Sequence, residues 1–544
     1  MSGRTPSRPN VLLITLDQMR GDSYGAAGHP LVETPNLDRL AADGVRLSRH
    51  YSQAAPCGPG RACLYTGTYQ MNNRVVGNGT PLDRRFDNVA LAARRAGYEP
   101  ALFGYTDQSI DPRDATGPDD PRLSTYEGIL PGFDVLLDLT GDHGPWVAWL
   151  ADLGHDVGGG IERVLIDEKR RPAEHSLSTF MTDRVLDWLG RREAPWFAHL
   201  SYLRPHPPYS AAGDWSRRYD PADVGLPIAM EDDRHPLHDM ALGIPDIVAP
   251  TDEHRLRRLR SQYFGMVSEV DAQLGRVWDA LRTNGQWDDT IVVVTADHGE
   301  MLGDHGFVQK LGWWESSYHV IGIVRDPRHP EAHGTVVDRF TENVDLMPTL
   351  CEAMGLPVPA QCDGLPLTPL LRGEEPPEWR TAAHWEWDWR EHLIRYVALA
   401  ERVGSPILRV VVDTATEEPS EDEVVRVLRS LANAFESAGV CLAIENHDRF
   451  SAATLVRILD RVGSEYVRIC LDTVNSFGAL EGPGVVVEAL APRTVNLHVK
   501  DFDVVRAAHN MGFVIEGRPA GQGRLDVEWL LRILAKHDRD PNVV

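Results

Sequence analysis

Cysteine is scarce and irregularly spaced, six residues in 544, which argues against a disulfide framework and leads us to expect reduced thiols in a cytoplasmic protein. No hydrophobic run is long enough to cross a bilayer or act as a secretory signal. The polar start, Met1 to Asn10, leads into Val11 to Leu16, a run far short of either. Asn78-Gly79-Thr80 matches a glycosylation sequon, which without a secretory route is a coincidence. Positive charge is also in deficit: 55 Lys and Arg against 80 Asp and Glu give a formal net charge of -25. With no basic stripe to offset it, neither a nucleic-acid partner nor a membrane is expected. An acidic balance is otherwise the default of a soluble enzyme and says little about substrate.

What is present is ample material for a large core, 42% hydrophobic and 25% charged, at a length that allows two to four domains. Val11 to Leu16, Trp196 to Tyr202 and Ile291 to Thr295 are continuous apolar runs of strand length, the pattern of parallel strands buried on both faces. Helical spacing between them, as over Leu256 to Leu281, predicts an α/β fold with an open sheet wrapped by helices. Each run ends in polar residues: Asp17-Gln18, Arg204-Pro205-His206 and Asp297-His298. Any one of these reads as a cap or turn, but together they mark the carboxyl edge of a sheet, where ligands bind.

Near residue 392 the pattern changes to a regular βα rhythm, with strands at 407–412, 440–444, 467–471 and 494–499 that end at Asp413, Glu445, Asp472 and His498. We expect two domains, 1–391 and 392–544, the second an incomplete (β/α) barrel. A complete barrel needs eight units and roughly 250 residues, whereas this segment has about 150.

Asp17, Gln18, Asp297 and His298 offer a mixed oxygen and nitrogen set that suits a divalent cation such as Ca²⁺, Mn²⁺ or Zn²⁺. Arg61, Lys310 and His206 are cationic donors of the kind that a tetrahedral anion needs. Taken singly, His206 reads as a turn histidine, Lys310 as a solvated charge and Tyr105 as a packed ring. Cys63 and Cys351 read as small buried side chains.

Cys57-Gly58-Pro59-Gly60-Arg61 is a C-x-P-x-R pentapeptide, and it resembles the signature of the type I sulfatases of the alkaline phosphatase superfamily. Asn10 to Ile14 followed by Asp17, Thr34-Pro35-Asn36-Leu37-Asp38-Arg39-Leu40, and Thr295 to His305 are similar to other segments of that family. Phe103 to Thr106, Arg204 to Pro208 and Trp385 to Asp388 are most similar to the phosphonate monoester hydrolase and arylsulfatase branch. The resemblance runs from about Pro9 to about Arg390 and implies a sulfatase-like sheet sandwiched by helices.

The resemblance implies that Cys57 is oxidised to formylglycine by a formylglycine-generating enzyme, and that its hydrate is the nucleophile. It also implies Asp17, Gln18, Asp297 and His298 as metal ligands, with Arg61 steadying the diol. Asn78, Tyr105, His206 and Lys310 would meet a small anionic ester substrate. Two departures stand out. Many sulfatases pair two aspartates where this chain has Asp17-Gln18, and common arylsulfatases have Gly-Lys-Trp-His where it has Gly104-Tyr105-Thr106-Asp107. Both favour phosphonate or phosphate esters over sulfates, while Asp107 adds a negative charge that the resemblance does not explain.

Glu445, Asp472 and His498 lie in segments that resemble the xylose-isomerase-like sugar isomerase and epimerase barrels, and match three of four metal ligands there. The expected function is metal-dependent hydrolysis of sulfate or phosphonate/phosphate esters. The alternatives are sugar isomerase or epimerase activity from the barrel, or an inactive fusion. A homo-oligomer is compatible with all of them.

Overall fold

The computed structural model describes residues 8–117, 120–123, 125–310, 312–387, 397, 400, 404–412, 419–447, 449–507, 512–537 and 539–543. The expected strand-end Asp413, and Asp388, Arg390 and Leu393 near the expected junction, lie outside them. The chain divides into two compact units, Met1–Asp233 with Ala241–Asp388, and Arg234–Met240 with Trp389–Val544.

In the first unit, β1 (Asn10–Leu16), β2 (Val45–Tyr51), β3 (Pro100–Gly104), β4 (Asp134–Asp138), β5 (Phe197–Tyr202), β6 (Thr290–Thr295), β7 (Ile323–Arg325) and β8 (Thr335–Glu342) form one sheet in the order β4-β3-β5-β1-β6-β7-β2-β8. All neighbours are parallel except at β7, which runs against both of its own. Alternation along the central strands builds two cores. Leu12, Ile14, Leu16, Val292 and Val294 enter one, while Val11, Leu13, Ile291 and Val293 enter the other. A strand read as uniformly apolar is thus one whose two faces are both covered. The predicted helix runs over Glu253–Thr283, is N-capped by Asp252, and buries Tyr263, Met266, Val270, Leu274 and Trp278.

β1, β5 and β6 lie side by side, with Leu16 opposite Tyr202 and Thr15 opposite Thr295. The segments that leave β1, β2, β3, β5 and β6 therefore emerge at one edge of the sheet, and every residue expected around the nucleophile stands on them.

The second unit holds a parallel sheet in the order β15-β12-β11-β10-β9, from β9 (Ile407–Val410), β10 (Cys441–Glu445), β11 (Val467–Asp472), β12 (Thr494–His498) and β15 (Asn542–Val543). Helices Glu421–Ala438, Ala452–Val462 and Pro483–Leu490 connect successive strands around a core of its own. This is an incomplete barrel: among the described residues it has five strands of the eight that closure needs. Sequence reading missed β15, too short for a pattern, and the antiparallel pair β13 (Asp501–Arg506) and β14 (Phe513–Arg518), whose second strand is exposed at every position.

Candidate active site

Cys57 opens the helix Cys57–Thr66, every residue of which is buried. The helix lies so close to the end of β6 that a Cβ on Gly60 would stand 2.4 Å from the Asp297 carbonyl oxygen. Ser52, just beyond β2, donates its hydroxyl to that same carbonyl. The Cys57 thiol is thereby brought to 3.2 Å from His298 Nε2. Burial, with Asp17 adding to it, pushes this thiol well up against the pull of Lys310, so the unmodified side chain is neutral and a poor nucleophile.

Arg61, one turn along the same helix, is wholly buried. Its Nε donates to Asp297 Oδ2 (2.9 Å), Nη2 to Asp17 Oδ2 (3.0 Å), and Nη1 to Ser201 Oγ (2.7 Å) and the Tyr105 carbonyl (3.2 Å). Asp107 Oδ2 lies 3.3 Å from the same Nε, and the guanidinium carbon is 4.5 Å from the Tyr105 ring centroid. Tyr105 donates its own hydroxyl to Asp17 Oδ2 (2.8 Å). One guanidinium therefore gathers three buried carboxyl groups, bonded to Asp17 and Asp297 and lying against Asp107.

The donors themselves fit a divalent ion. Asp17, Cys57, Asp297 and His298 offer ligand atoms within 4.8 Å of one another. Asp17 Oδ1 is buried with no hydrogen-bond partner, a costly state unless a cation fills it. His298 Nδ1 donates to the Gly299 carbonyl at 3.0 Å, which leaves Nε2 as the lone-pair nitrogen facing the group. Burial lowers the pKa of this imidazole, keeping it in the neutral form that binds metal.

Burial alone would raise the Asp17 carboxyl; the facing His206, Arg61, His298 and Lys310 reverse this and hold it well below the ordinary carboxylate range. His206 is itself pushed down to about 3, by burial and then by Lys310, so the charged partners left at neutral pH are Arg61 and Lys310.

Gln18 is placed differently from a simple ligand. Its backbone is left-handed (φ 69°), its amide nitrogen donates to Glu300, and its Oε1 accepts from Lys310 Nζ at 2.9 Å. Lys310 Nζ also donates to His206 Nε2 at 2.6 Å, and His206 Nδ1 donates to the Pro207 carbonyl at 2.7 Å. Burial would lower the Lys310 ammonium, but Cys57, Asp17, Asp297 and Glu300 around it raise it instead, the carboxylates being the standing charges.

These groups open onto a cleft of about 490 Å³ lined by Asp17, Cys57, Asn78, Tyr105, His206 and Lys310, with Tyr126 and Glu127 on its wall. Asn78 accepts from the Gly58 amide at 2.9 Å, tying its loop to the first turn of the helix. Two groups escaped sequence reading as site residues. Asp107 lines the cleft in a left-handed conformation (φ 51°) and is pushed up to about 8, burial outweighing the pull of Arg61. Glu300 is buried and joins Gln18 to Tyr209. Its place beside Asp297-His298 was a sequence signal, but its partners were not.

In the second unit the ends of β10, β11 and β12 bring Glu445, Asp472 and His498 together: His498 Nδ1 lies 3.4 Å from Glu445 Oε1 and 3.8 Å from Asp472 Oδ2. Cys470 joins Glu445 and His498 in a second donor group. Arg409 pairs with Glu445, and Lys500 Nζ sits 2.7 Å from Asp472 Oδ2, so both carboxylates already face a cation.

Residues 9–356 match the sulfatase family model, and residues 321–544 match that of the xylose isomerase-like TIM barrel. The multifunctional alkaline phosphatase superfamily protein PehA of Trinickia caryophylli is 37% identical over 418 residues, 71% of this chain and 81% of the relative. An arylsulfatase of Clostridium perfringens is 27% identical, over 72% and 84%. Among solved structures, the phosphonate monoester hydrolase of Agrobacterium radiobacter superposes with a TM-score of 0.66 at 44% identity, covering 70% of this chain and 81% of that one. On the strength of these matches and of the site that its strand ends assemble, the chain belongs to the sulfatase family of the alkaline phosphatase superfamily, with a xylose isomerase-like partial barrel following its sulfatase unit.

Proposed function

We propose that this chain hydrolyses phosphonate and sulfate esters at the cleft above residue 57, with phosphonate monoesters preferred, after Cys57 has been converted to formylglycine. The observation that carries the reading is the position of Cys57 on the cleft floor, in one 4.8 Å group with Asp17, Asp297 and His298. Formylglycine would supply a hydrated aldehyde as nucleophile where the buried thiol is neutral. A divalent ion held by Asp17, Asp297 and His298 would supply Lewis acidity. Only 6% of Cys57 is exposed, so a formylglycine-generating enzyme would act on it before the chain is folded.

The remaining work falls to side chains. Arg61 balances Asp17 and Asp297 and fixes where their free oxygens point. Tyr105 holds Asp17 from the other side. Lys310 brings a positive charge to the anion, kept protonated by the carboxylates and aimed by Gln18 and His206. His206, its Nδ1 proton fixed on Pro207, keeps Nε2 as an acceptor that holds the Lys310 ammonium in place, and Lys310 can pass a proton to a leaving oxygen. Gln18 supports the phosphonate preference: its amide serves Lys310 and Glu300, where a second aspartate would add negative charge beside the anion. The high similarity to phosphonate monoester hydrolases supports it too.

The test compares kcat/KM for a phosphonate monoester, an aryl sulfate and a phosphate diester on protein produced with formylglycine-generating activity. The phosphonate monoester should lead. Cys57→Ala and Asp297→Asn should each cost on the order of 10³-fold or more. Hydrolysis by protein whose Cys57 peptide shows only unmodified thiol in the mass spectrum would overturn the mechanism.

A further inference from the structure

His206 stands in a segment with few backbone bonds of its own, its amide donating to the Leu203 carbonyl at 2.8 Å. Pro205, Pro207 and Pro208 have no N–H to donate, so the carbonyls of this turn need a donor from elsewhere. Arg204 supplies it. Its guanidinium, fully buried, donates through Nη1 to the His206 carbonyl at 2.8 Å and to the Pro208 carbonyl at 3.1 Å. Its Nη2 is ion-paired with Glu168, whose side chain is equally buried. Glu168 is anchored in turn, since its Oε1 accepts from the Leu177 amide at 2.8 Å, at the start of the helix Leu177–Leu189. No step proposed above uses either charge, and burying an ion pair is a poor route to stability alone.

We infer that Glu168 and Arg204 are positioning residues that hold the His206 turn so that its Nε2 meets Lys310, and so set catalysis on the leaving-group side. This rests on the reading of His206 and Lys310 given above. The chain of contacts is continuous: Glu168 fixes the guanidinium, the guanidinium fixes the two carbonyls, and the fixed turn lets Nδ1 of His206 reach the Pro207 carbonyl. That last bond sets the tautomer. A misplacement of the turn by even about 1 Å would weaken proton passage without closing the cleft. Glu269 completes the network. It is pushed up to about 7, by burial and then by Glu168, while Arg204 pulls the other way. Removing the Glu168 charge lets Glu269 ionise in its place, so the loss should be partial.

The test uses full-length protein carrying formylglycine and two phosphonate monoesters, one with a good leaving group (4-nitrophenolate) and one with a poor one (an alkoxide). In Glu168→Gln, kcat on the poor leaving group should fall about tenfold and on the good one less than about twofold, with KM little changed. Arg204→Lys keeps a charge opposite Glu168 but one ammonium cannot serve both carbonyls as the fork does, so it should give the same split, and it covers the case in which Glu168→Gln does not fold. Equal losses on both esters, or no loss, would overturn the proposal. Selective ¹³C,¹⁵N-histidine labelling, with His206 assigned from His206→Gln, reads the tautomer without activity. It should be Nδ1-protonated in the wild type and mixed in either variant. If the wild type cleaves neither ester, the reading of the site fails, and a tautomer unchanged in the variants separately overturns the positioning role.

Discussion

At the scale of single residues the site depends on what its backbone permits. Gly60 allows the nucleophile helix to touch the Asp297 carbonyl, and the left-handed Gln18 and Asp107 turn their side chains onto Lys310 and Arg61. Asp107 carries a pH consequence. Its folded pKa of about 8 stands above the ordinary 3.8 of the unfolded chain, so between those values the native state binds the extra proton. Stability contributed by this group is then present below about pH 4 and lost as pH rises toward 8. Asn tolerates the left-handed region and cannot ionise. Asp107→Asn should therefore flatten the decline of Tm between pH 5 and 8, raising Tm at pH 8 relative to the wild type. Glu269 and Asp271, also pushed up by burial, leave part of the slope in place. Thermal melts of both proteins across that range check this, and identical slopes would refute it. Asp17, Cys57, Arg61, Asp297 and His298 were legible in sequence because each sits at a fixed offset from an apolar run or inside one pentapeptide. Asp107 was visible only as an unexplained charge. Its meaning needs the 3.3 Å approach to Arg61, which no local pattern encodes.

At the scale of elements, the agreement is closest where a periodic pattern meets a cap. The helix expected over Leu256 to Leu281 gains about a turn at its start because Asp252 caps it at the Arg255 amide. In the second unit, Ser420 and Glu423 form a reciprocal capping box, Gly439 closes the same helix in the left-handed region, and the helix buries Val424, Val425, Leu428 and Phe435. Ser420→Ala removes one half of the box and should cost the second unit about 1 kcal/mol. Urea unfolding followed by far-UV circular dichroism would register it, and hydrolysis at residue 57 should not change. Strands proved harder where burial does not impose alternation. β14, exposed throughout, carries Phe513, Val514 and Ile515 in succession without a covered face, so its strand-forming composition has no alternation to support it.

At the scale of the whole molecule, the fold gathers carboxyl groups from distant segments at one site. Asp17, Asp107 and Asp297 converge on one guanidinium, and Asp17 Oδ1 keeps no hydrogen-bond partner. A carboxylate oxygen buried without a donor is costly, and an ion that binds only the folded state stabilises the first unit by mass action, about 2.7 kcal/mol at a hundred times its Kd. All but two of the 14 tryptophans, the exceptions being Trp389 and Trp529, lie in the first unit, so intrinsic fluorescence reports mainly on that unit's unfolding. Adding Mn²⁺ to protein stripped with a chelator should raise the fluorescence-detected Tm by several degrees, and Asp297→Asn should abolish that rise. Glu445→Gln should leave it intact, because Glu445 is paired with Arg409 in the second unit. A rise that survives in Asp297→Asn but is lost in Glu445→Gln would place the stabilising ion in the partial barrel and remove the metal from the reading of Cys57.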